Sequence, residues 1–288
     1  MKTKPENIVI LNGEFMSADQ AFISPFDRGF LFADSVYEVT AVLDGALVDF
    51  ERHYERLIRS CAALNLPLIY TGPDLRLMHQ QLVEKNNIKE GMVYMQISRG
   101  SAPRDFLMPA DPAPTLFMFA TPKVLIDNPK VKTGLRVMTM RDERWRRRDI
   151  KTTQLLSQSW GLTRAREQGC DDVWFVMDGF ITEGSSNNAF ILTQEGQIIT
   201  RPVSEDILPG ITRRALLECV SQNGFELIER PFRLAEAQGA KEAFMSSATA
   251  FILPVVDIDG AIIGTGKPGP VFKALRDDYI RKAQMDVG

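Results

Sequence analysis

Short apolar runs closed by turn residues shape the first third of the chain. Ile8-Val9-Ile10-Leu11 ends on Asn12-Gly13, and Val36-Tyr37-Glu38-Val39-Thr40-Ala41-Val42-Leu43 ends on Asp44-Gly45. Each reads as a strand followed by a tight turn, because Asn-Gly and Asp-Gly accept the positive φ values of a two-residue hairpin. The spacing then changes to that of a helix. Tyr54, Leu57, Ile58, Cys61 and Leu64 share one face, which predicts a helix capped by Asp49 and ending near Asn65. Val93–Ser98 and Thr115–Ala120 predict two further strands. The pattern fades over residues 122–132, which carry Pro122 and Pro129, and that stretch is read as the connection between an N-terminal domain (1–121) and a C-terminal one (133–288). Beyond it come strand patterns at Leu135–Met140, Val173–Met177 and Phe251–Ile258. A helix is expected after Lys151, a hairpin at Asp178-Gly179, and a helix near Ile211 with Ala215, Leu216, Cys219 and Val220 on one side. The mixture predicts an α/β (α+β) fold.

Composition narrows the function classes. The 288 residues suit one large or two medium domains, and a net charge of −3 gives no electrostatic case for nucleic acid or a membrane surface as partner. No apolar run approaches the roughly 18–20 residues that span a bilayer. Met1–Asn7 shows no apolar signal core, so a cytoplasmic location is expected. Cys61, Cys170 and Cys219 are odd in number and scattered, which predicts buried or free thiols in a reducing compartment. His53 and His79 are the only histidines, so His-ligated metal and Ser-His-Asp hydrolysis are both disfavoured. Both are read as helix-surface or packing residues, and no metal site is expected.

Several segments carry candidate chemistry, each with a plainer alternative. Lys151 lies in Asp149-Ile150-Lys151-Thr152-Thr153-Gln154-Leu155-Leu156. A solvated surface position is the default for a lysine. Its place between a strand pattern and a helix start also makes it a candidate nucleophile, since an amine must be partly neutral to attack an aldehyde. The nearby run of Arg141, Arg144, Arg146, Arg147 and Arg148 reads for the most part as a solvated edge or loop. Glu183, in Thr182-Glu183-Gly184-Ser185-Ser186-Asn187-Asn188, offers a carboxylate that can keep a pyridine nitrogen protonated; a glutamate in a turn is the alternative. Leu208-Pro209-Gly210-Ile211-Thr212-Arg213 reads as a loop entering a helix whose first amides suit an anion, or simply as a Thr or Gly cap. Ser246-Ser247-Ala248-Thr249 adds small residues with no specificity of its own. Arg52, Arg56 and Arg59 form a stripe for which solvation is the default, and spacing does not choose among them. Gly264-Thr265-Gly266-Lys267-Pro268-Gly269 is a formal G-x-G-x-x-G, but the nineteen residues after it leave no room for a βαβ unit.

An amine, a carboxylate and an anion-binding helix start, in that order, are the handles a protein needs on pyridoxal phosphate (PLP). Their order and spacing resemble those of the fold-type IV PLP enzymes, the D-amino-acid and branched-chain aminotransferases and their relatives. Arg144-Trp145 to Leu156 resembles the lysine strand, Thr182 to Asn188 the pyridine-nitrogen loop, and Leu208 to Arg213 the phosphate loop. His53-Tyr54-Glu55-Arg56-Leu57 matches the family's H-x-x-R-L and selects Arg56 as a phosphate ligand. Phe30 to Glu38 resembles its early strand, with Ala33 and Ser35 in place of two glycines. Ser246 to Thr249 resembles its last phosphate and carboxylate loop, with Ala248 where a threonine is common.

The resemblance implies a small N-terminal α/β domain, a larger C-terminal domain with a β-barrel-like core, PLP between them, and a homodimer. It implies Lys151 as the catalytic residue that carries PLP, with Arg56, Glu183, Ser186, Asn187, Ile211, Thr212, Ser247 and Ala248 around the cofactor. The implied reaction is ping-pong transamination between an amino acid and a 2-oxo acid. Ser98-Arg99-Gly100-Ser101-Ala102-Pro103-Arg104-Asp105-Phe106 resembles the D-amino-acid aminotransferase loop, in which Arg104, together with Tyr37, would hold the substrate carboxylate; Phe106 replaces that loop's histidine. Ala248 and Thr249 complete the expected substrate contacts. The expectation is therefore a D-amino-acid donor with 2-oxoglutarate or pyruvate as acceptor. Branched-chain aminotransferase is the runner-up, followed by (R)-amine transaminase and aminodeoxychorismate lyase. A PLP-binding protein without turnover is the reading from outside the enzymes.

Overall fold

The computed structural model describes residues 7–285; the stretch read for a signal core lies, apart from Asn7, outside them. By its internal contacts the chain forms two compact units. The first runs to Val124 and includes Ile150–Gln154 and the residues from Ala283; the second holds Leu125–Asp149 and Leu155–Lys282.

The first unit contains β1 (Ile8–Leu11), β2 (Glu14–Ser17), α1 (Arg28–Phe32), β3 (Ser35–Leu43), β4 (Ala46–Leu47), α2 (Phe50–Ala63), α3 (Gly72–Lys85), β5 (Gly91–Ser98) and β6 (Thr115–Pro122). Its sheet has the order β2-β1-β6-β5-β3-β4, antiparallel throughout. The hairpin at Asn12-Gly13 forms with φ of 52° and 90°, the left-handed pair that Asn-Gly tolerates. The helix expected from Asp49 is α2, but Asp49 sits at φ 55° and makes no side-chain cap bond. Phe50, Leu57 and Cys61 bury the inner face of α2, and each large apolar side chain so buried stabilises the unit by about 1.5–3 kcal/mol.

The second unit contains α4 (Lys130–Thr133), β7 (Leu135–Arg141), α5 (Leu156–Glu167), β8 (Asp172–Met177), β9 (Phe180–Gly184), β10 (Asn188–Leu192), β11 (Gln197–Thr200), α6 (Ile211–Gln222), β12 (Glu226–Glu229), α7 (Leu234–Gln238), β13 (Glu242–Ser247), β14 (Phe251–Ile258), β15 (Ala261–Ile262) and α8 (Pro270–Met285). The sheet order is β12-β11-β10-β13-β14-β7-β8-β9, with β15 on β14. Here β9 and β10 stand five places apart but are joined by only three residues. On a flat sheet five spacings of about 4.8 Å would part them by about 24 Å, beyond the roughly 14 Å that four residue steps can span. The sheet is therefore curled into a half-barrel. Its interior is filled by Val137, Trp174, Ile181, Ile191, Ile199 and Met245, among others.

The stretch 122–132 is not bare connection. β6 continues through Pro122, and α4 begins at Lys130. Lys151, expected with the C-terminal residues, groups with the first unit, because its segment pairs with the edge of β3. The rejected glycine motif forms turns at Gly264 and Gly266, both with positive φ, ahead of α8. All three cysteines are buried and free. Among the described residues no cluster of three or more His, Cys, Asp or Glu is placed to hold a metal ion, and no helix is long and apolar enough to cross a membrane.

Candidate active site

In the first unit, Lys151 is fixed through its main chain. Its carbonyl accepts from the Tyr37 amide at 3.0 Å, its own amide donates to Ser60 Oγ at 3.4 Å, and Thr152 bridges Val36. The Thr153 hydroxyl contacts Ser35 Oγ. With the backbone so held, Lys151 Nζ lies 4.1 Å from the centre of the Tyr37 ring, which in turn stacks on Tyr94 at 5.5 Å. Tyr94 donates to Gln96 at 2.8 Å, and burial pushes its hydroxyl up from the ordinary phenol range.

The basic stripe on α2 is not uniformly solvated. Arg59 is exposed, whereas Arg56 is buried and paired with Glu38 of β3. Arg56 Nε donates to Glu38 Oε1 at 2.8 Å and Nη2 to Oε2 at 2.7 Å; His53 Nδ1 donates to Oε2 at 2.7 Å. Burial opposes the charge on Glu38, but the Arg56 guanidinium and the His53 N–H hold its carboxyl down at about 2. Burial lowers His53 below its ordinary range, which keeps the ring a neutral donor. His53 and Arg56 stand three apart on one helix face, so both reach one carboxylate. His79 is likewise a packing residue, buried with Nδ1 donating to the Leu75 carbonyl at 2.7 Å. Arg104 lies on an exposed loop, its guanidinium 5.6 Å from the Phe32 ring and 5.7 Å from that of Phe106.

In the second unit, Glu183 lies near the end of β9 and is buried. Oε1 accepts from Arg144 Nη1 at 2.6 Å; Oε2 accepts from the Leu208 amide at 2.9 Å and from Asn188 Nδ2 at 3.1 Å. Burial pushes the Glu183 carboxyl up, while Arg144 and the Leu208 amide pull against it. Every contact to its two oxygens comes from a donor, so the site is built for the carboxylate. Arg144 is further held by Asp142 (Nε to Oδ1 2.9 Å, Nη2 to Oδ2 2.7 Å), which also accepts from Thr182 at 2.7 Å. Arg148 reaches Asp142 at 3.2 Å. Arg144 and Arg148 thus depart from the solvated reading of their run, because Asp142 and Glu183 supply buried counter-charge; Arg141 and Arg146 are not buried.

The loop after Glu183 is braced at Asp172, which accepts from Ser185 Oγ at 2.5 Å and Asn187 Nδ2 at 2.6 Å, and leaves Ser186 exposed. The N-cap of α6 is Gly210, with no side-chain cap bond, and Ile211 and Thr212 are buried in the first turn. A Cβ at Gly210 would meet Asn188 Oδ1 at 2.1 Å, so glycine is required for the helix start to lie against the residue that holds Glu183. Ser246 pairs with Asn188 across the sheet, and its buried hydroxyl has no hydrogen-bond partner. The loop Ser247–Ala250 leads into Phe251, fully buried at φ 57°. A left-handed Phe costs about 1–2 kcal/mol, and buried Arg276 braces it by donating to the Ala250 and Ile252 carbonyls at 3.1 and 2.6 Å.

Each unit, taken by itself, carries groups of the kinds that PLP takes. The first unit has a main-chain-fixed lysine and a buried arginine. The second has a buried carboxylate, an uncapped helix start and an unpartnered serine hydroxyl. Sequence reasoning did not select Glu38, Asp142, Arg144, Asn188 or Ser246. For Glu38 a signal existed, since strand alternation puts it on the same face as Val36 and Thr40.

The model of a family described as amino-transferase class IV matches residues 35–258. The chain belongs to the class IV aminotransferases. Such enzymes depend on PLP and act on amino and keto acids. A D-alanine aminotransferase of Bacillus licheniformis is 34% identical over 270 residues, which cover 93% of this chain and 94% of that one. One from Staphylococcus haemolyticus is 34% identical over 274 residues, 94% and 96% of the two chains. Among solved structures, the branched-chain amino acid aminotransferase of Escherichia coli superposes with a TM-score of 0.89 at 23% identity, covering 96% of this chain and 94% of that one. That of Thermoproteus uzoniensis, with norvaline, gives 0.86 at 25% identity, covering 96% and 95%. The fold expected for a class IV aminotransferase, α/β with a curled sheet, is the fold observed.

Proposed function

We propose that this class IV aminotransferase moves the amino group of a D-amino acid to a 2-oxo acid, 2-oxoglutarate or pyruvate, in two half-reactions. The observation that carries the reading is full-length likeness to D-alanine aminotransferases at 31–34% identity, above the 20–25% shared with the branched-chain structures. The chain is further proposed to work as a homodimer in the cytoplasm.

Bound PLP supplies an electron sink for the pair left when a proton departs the substrate's Cα. In this reading the Lys151 amine would hold the cofactor covalently and would move the proton at the substrate's Cα. Glu183 keeps the ring nitrogen protonated. Arg56 and the first amides of α6, at Ile211 and Thr212, bind the phosphate, with Ser247 and Ala248 adding contacts. Asn187, through Asp172, holds the loop that follows Glu183, and Ser186 sits at its exposed tip.

Arg104, with Tyr37, Ala248 and Thr249, is proposed to take the substrate carboxylate. A guanidinium can do so in bidentate fashion without a histidine beside it, and Phe106 makes its surroundings less polar. Arg104→Leu should therefore cost D-alanine or D-glutamate about 2–4 kcal/mol in transition-state binding, and a simple (R)-amine far less. Comparing kcat/KM for the two donor classes checks this. Equal losses for both would make Arg104 structural. A wild-type preference for L-leucine or L-valine over every D-amino acid would favour branched-chain transamination.

A further inference from the structure

We propose that Glu38 is a positioning residue for the cofactor phosphate: its carboxylate, backed by His53, fixes the plane of the Arg56 guanidinium so that Arg56 meets a phosphate in one orientation. The inference rests on the reading of Arg56 as a phosphate anchor given above.

Three observations support it. Glu38 is 1% exposed and grips the Nε–Nη2 edge of Arg56 through both oxygens, at 2.8 and 2.7 Å. A guanidinium is rigid and planar, so fixing one edge fixes the direction of the whole fork, whereas an ungripped arginine side chain must lose its rotamer freedom on binding. Next, His53 fills part of Glu38 Oε2 with a neutral N–H, which orients the carboxylate without adding charge. Lastly, the cluster is tied to the Lys151 segment. Glu38 follows Tyr37, whose amide donates to the Lys151 carbonyl. Arg56 lies one helical turn before Ser60, whose hydroxyl accepts from the Lys151 amide. The strand and helix that hold the amine therefore also hold the guanidinium, with Glu38 as the link between them.

Glu38 offsets the charge of Arg56, so it weakens long-range attraction for an anion; its benefit must come from orientation. A carboxylate that merely neutralised a buried arginine would support the fold and no more. Pyridoxal, which lacks the phosphate, separates the two roles. Apo-enzyme of wild type, Glu38→Gln, Arg56→Ala and the double variant should be titrated with PLP and with pyridoxal.

For Glu38→Gln the expected result is a PLP dissociation constant raised about tenfold to a hundredfold, the scale of one charge-assisted contact, with pyridoxal binding unchanged. The double variant should be little worse than Arg56→Ala alone. Where Glu38→Gln yields no folded apo-enzyme, Glu38→Asp keeps the charge but withdraws it by one methylene, and the same selective loss is expected. Equal weakening of PLP and pyridoxal, or no change in either, would overturn the proposal while Arg56→Ala still discriminated between the two ligands. If Arg56→Ala fails to discriminate, the phosphate-anchor reading falls first and this inference with it.

Discussion

Replacing Lys151 with alanine is expected to abolish turnover, by about 10³-fold or more, because the proposed function assigns both covalent attachment of PLP and proton transfer at Cα to that one amine. The fold should survive. The segment is held by main-chain bonds, from the Tyr37 amide to the Lys151 carbonyl and from the Lys151 amide to Ser60, which alanine retains. What is lost is the amine over the Tyr37 ring. PLP can still bind through its phosphate, so the variant should keep cofactor while losing the absorbance of the lysine-bound form. Borohydride reduction of the wild type followed by peptide mapping should place the label on Lys151. A label on any other lysine would contradict the assignment.

Glu183→Gln should slow proton abstraction by orders of magnitude while PLP stays bound, since in the proposed function the Glu183 charge is what keeps the ring nitrogen protonated. The structure adds a stability effect. Both oxygens of Glu183 face donors: Arg144 on one side, Leu208 and Asn188 on the other. Whichever way the introduced amide were turned, its NH₂ would meet a donor, and the unsatisfied contact costs about 1–3 kcal/mol. Arg144 keeps Asp142, so its charge is not stranded. Single-turnover rates with a D-amino acid, taken below the melting transition of the variant, separate the two effects. An unchanged half-reaction rate would mean that another group protonates the ring.

Which parts of this were legible in the sequence follows from where the information lies. β1, β3 and the Asn12-Gly13 and Asp178-Gly179 hairpins are local features: alternation and turn chemistry within a few residues specify them. The amphipathic face of α2 is local as well. Burial of its basic residue is not, because the partner of Arg56 is 18 residues away on β3. In the same way Arg144 finds Glu183 across 39 residues, and only the pairing of β7, β8 and β9 brings those segments together. A run of five arginines interleaved with acids looks solvated until two of its members acquire buried carboxylates. Lys151 stands out through motif order, yet its grouping with the first unit depends on an edge contact with β3 that no local pattern announces. Asp49 shows the converse: a good capping residue by type, placed by the turn at a φ where its side chain makes no cap bond.

The amino-donor half-reaction reads the choice of a D-amino acid without the second substrate. Purified, PLP-loaded enzyme should be mixed with D-alanine and with L-alanine, L-leucine and L-valine in parallel, without acceptor, and the absorbance of the lysine-bound cofactor followed as it converts to the amine form. Rapid bleaching is expected with D-alanine, reversal on adding pyruvate or 2-oxoglutarate, and little change with the L-amino acids. Bleaching with L-leucine or L-valine and none with D-alanine would contradict the D-amino-acid reading.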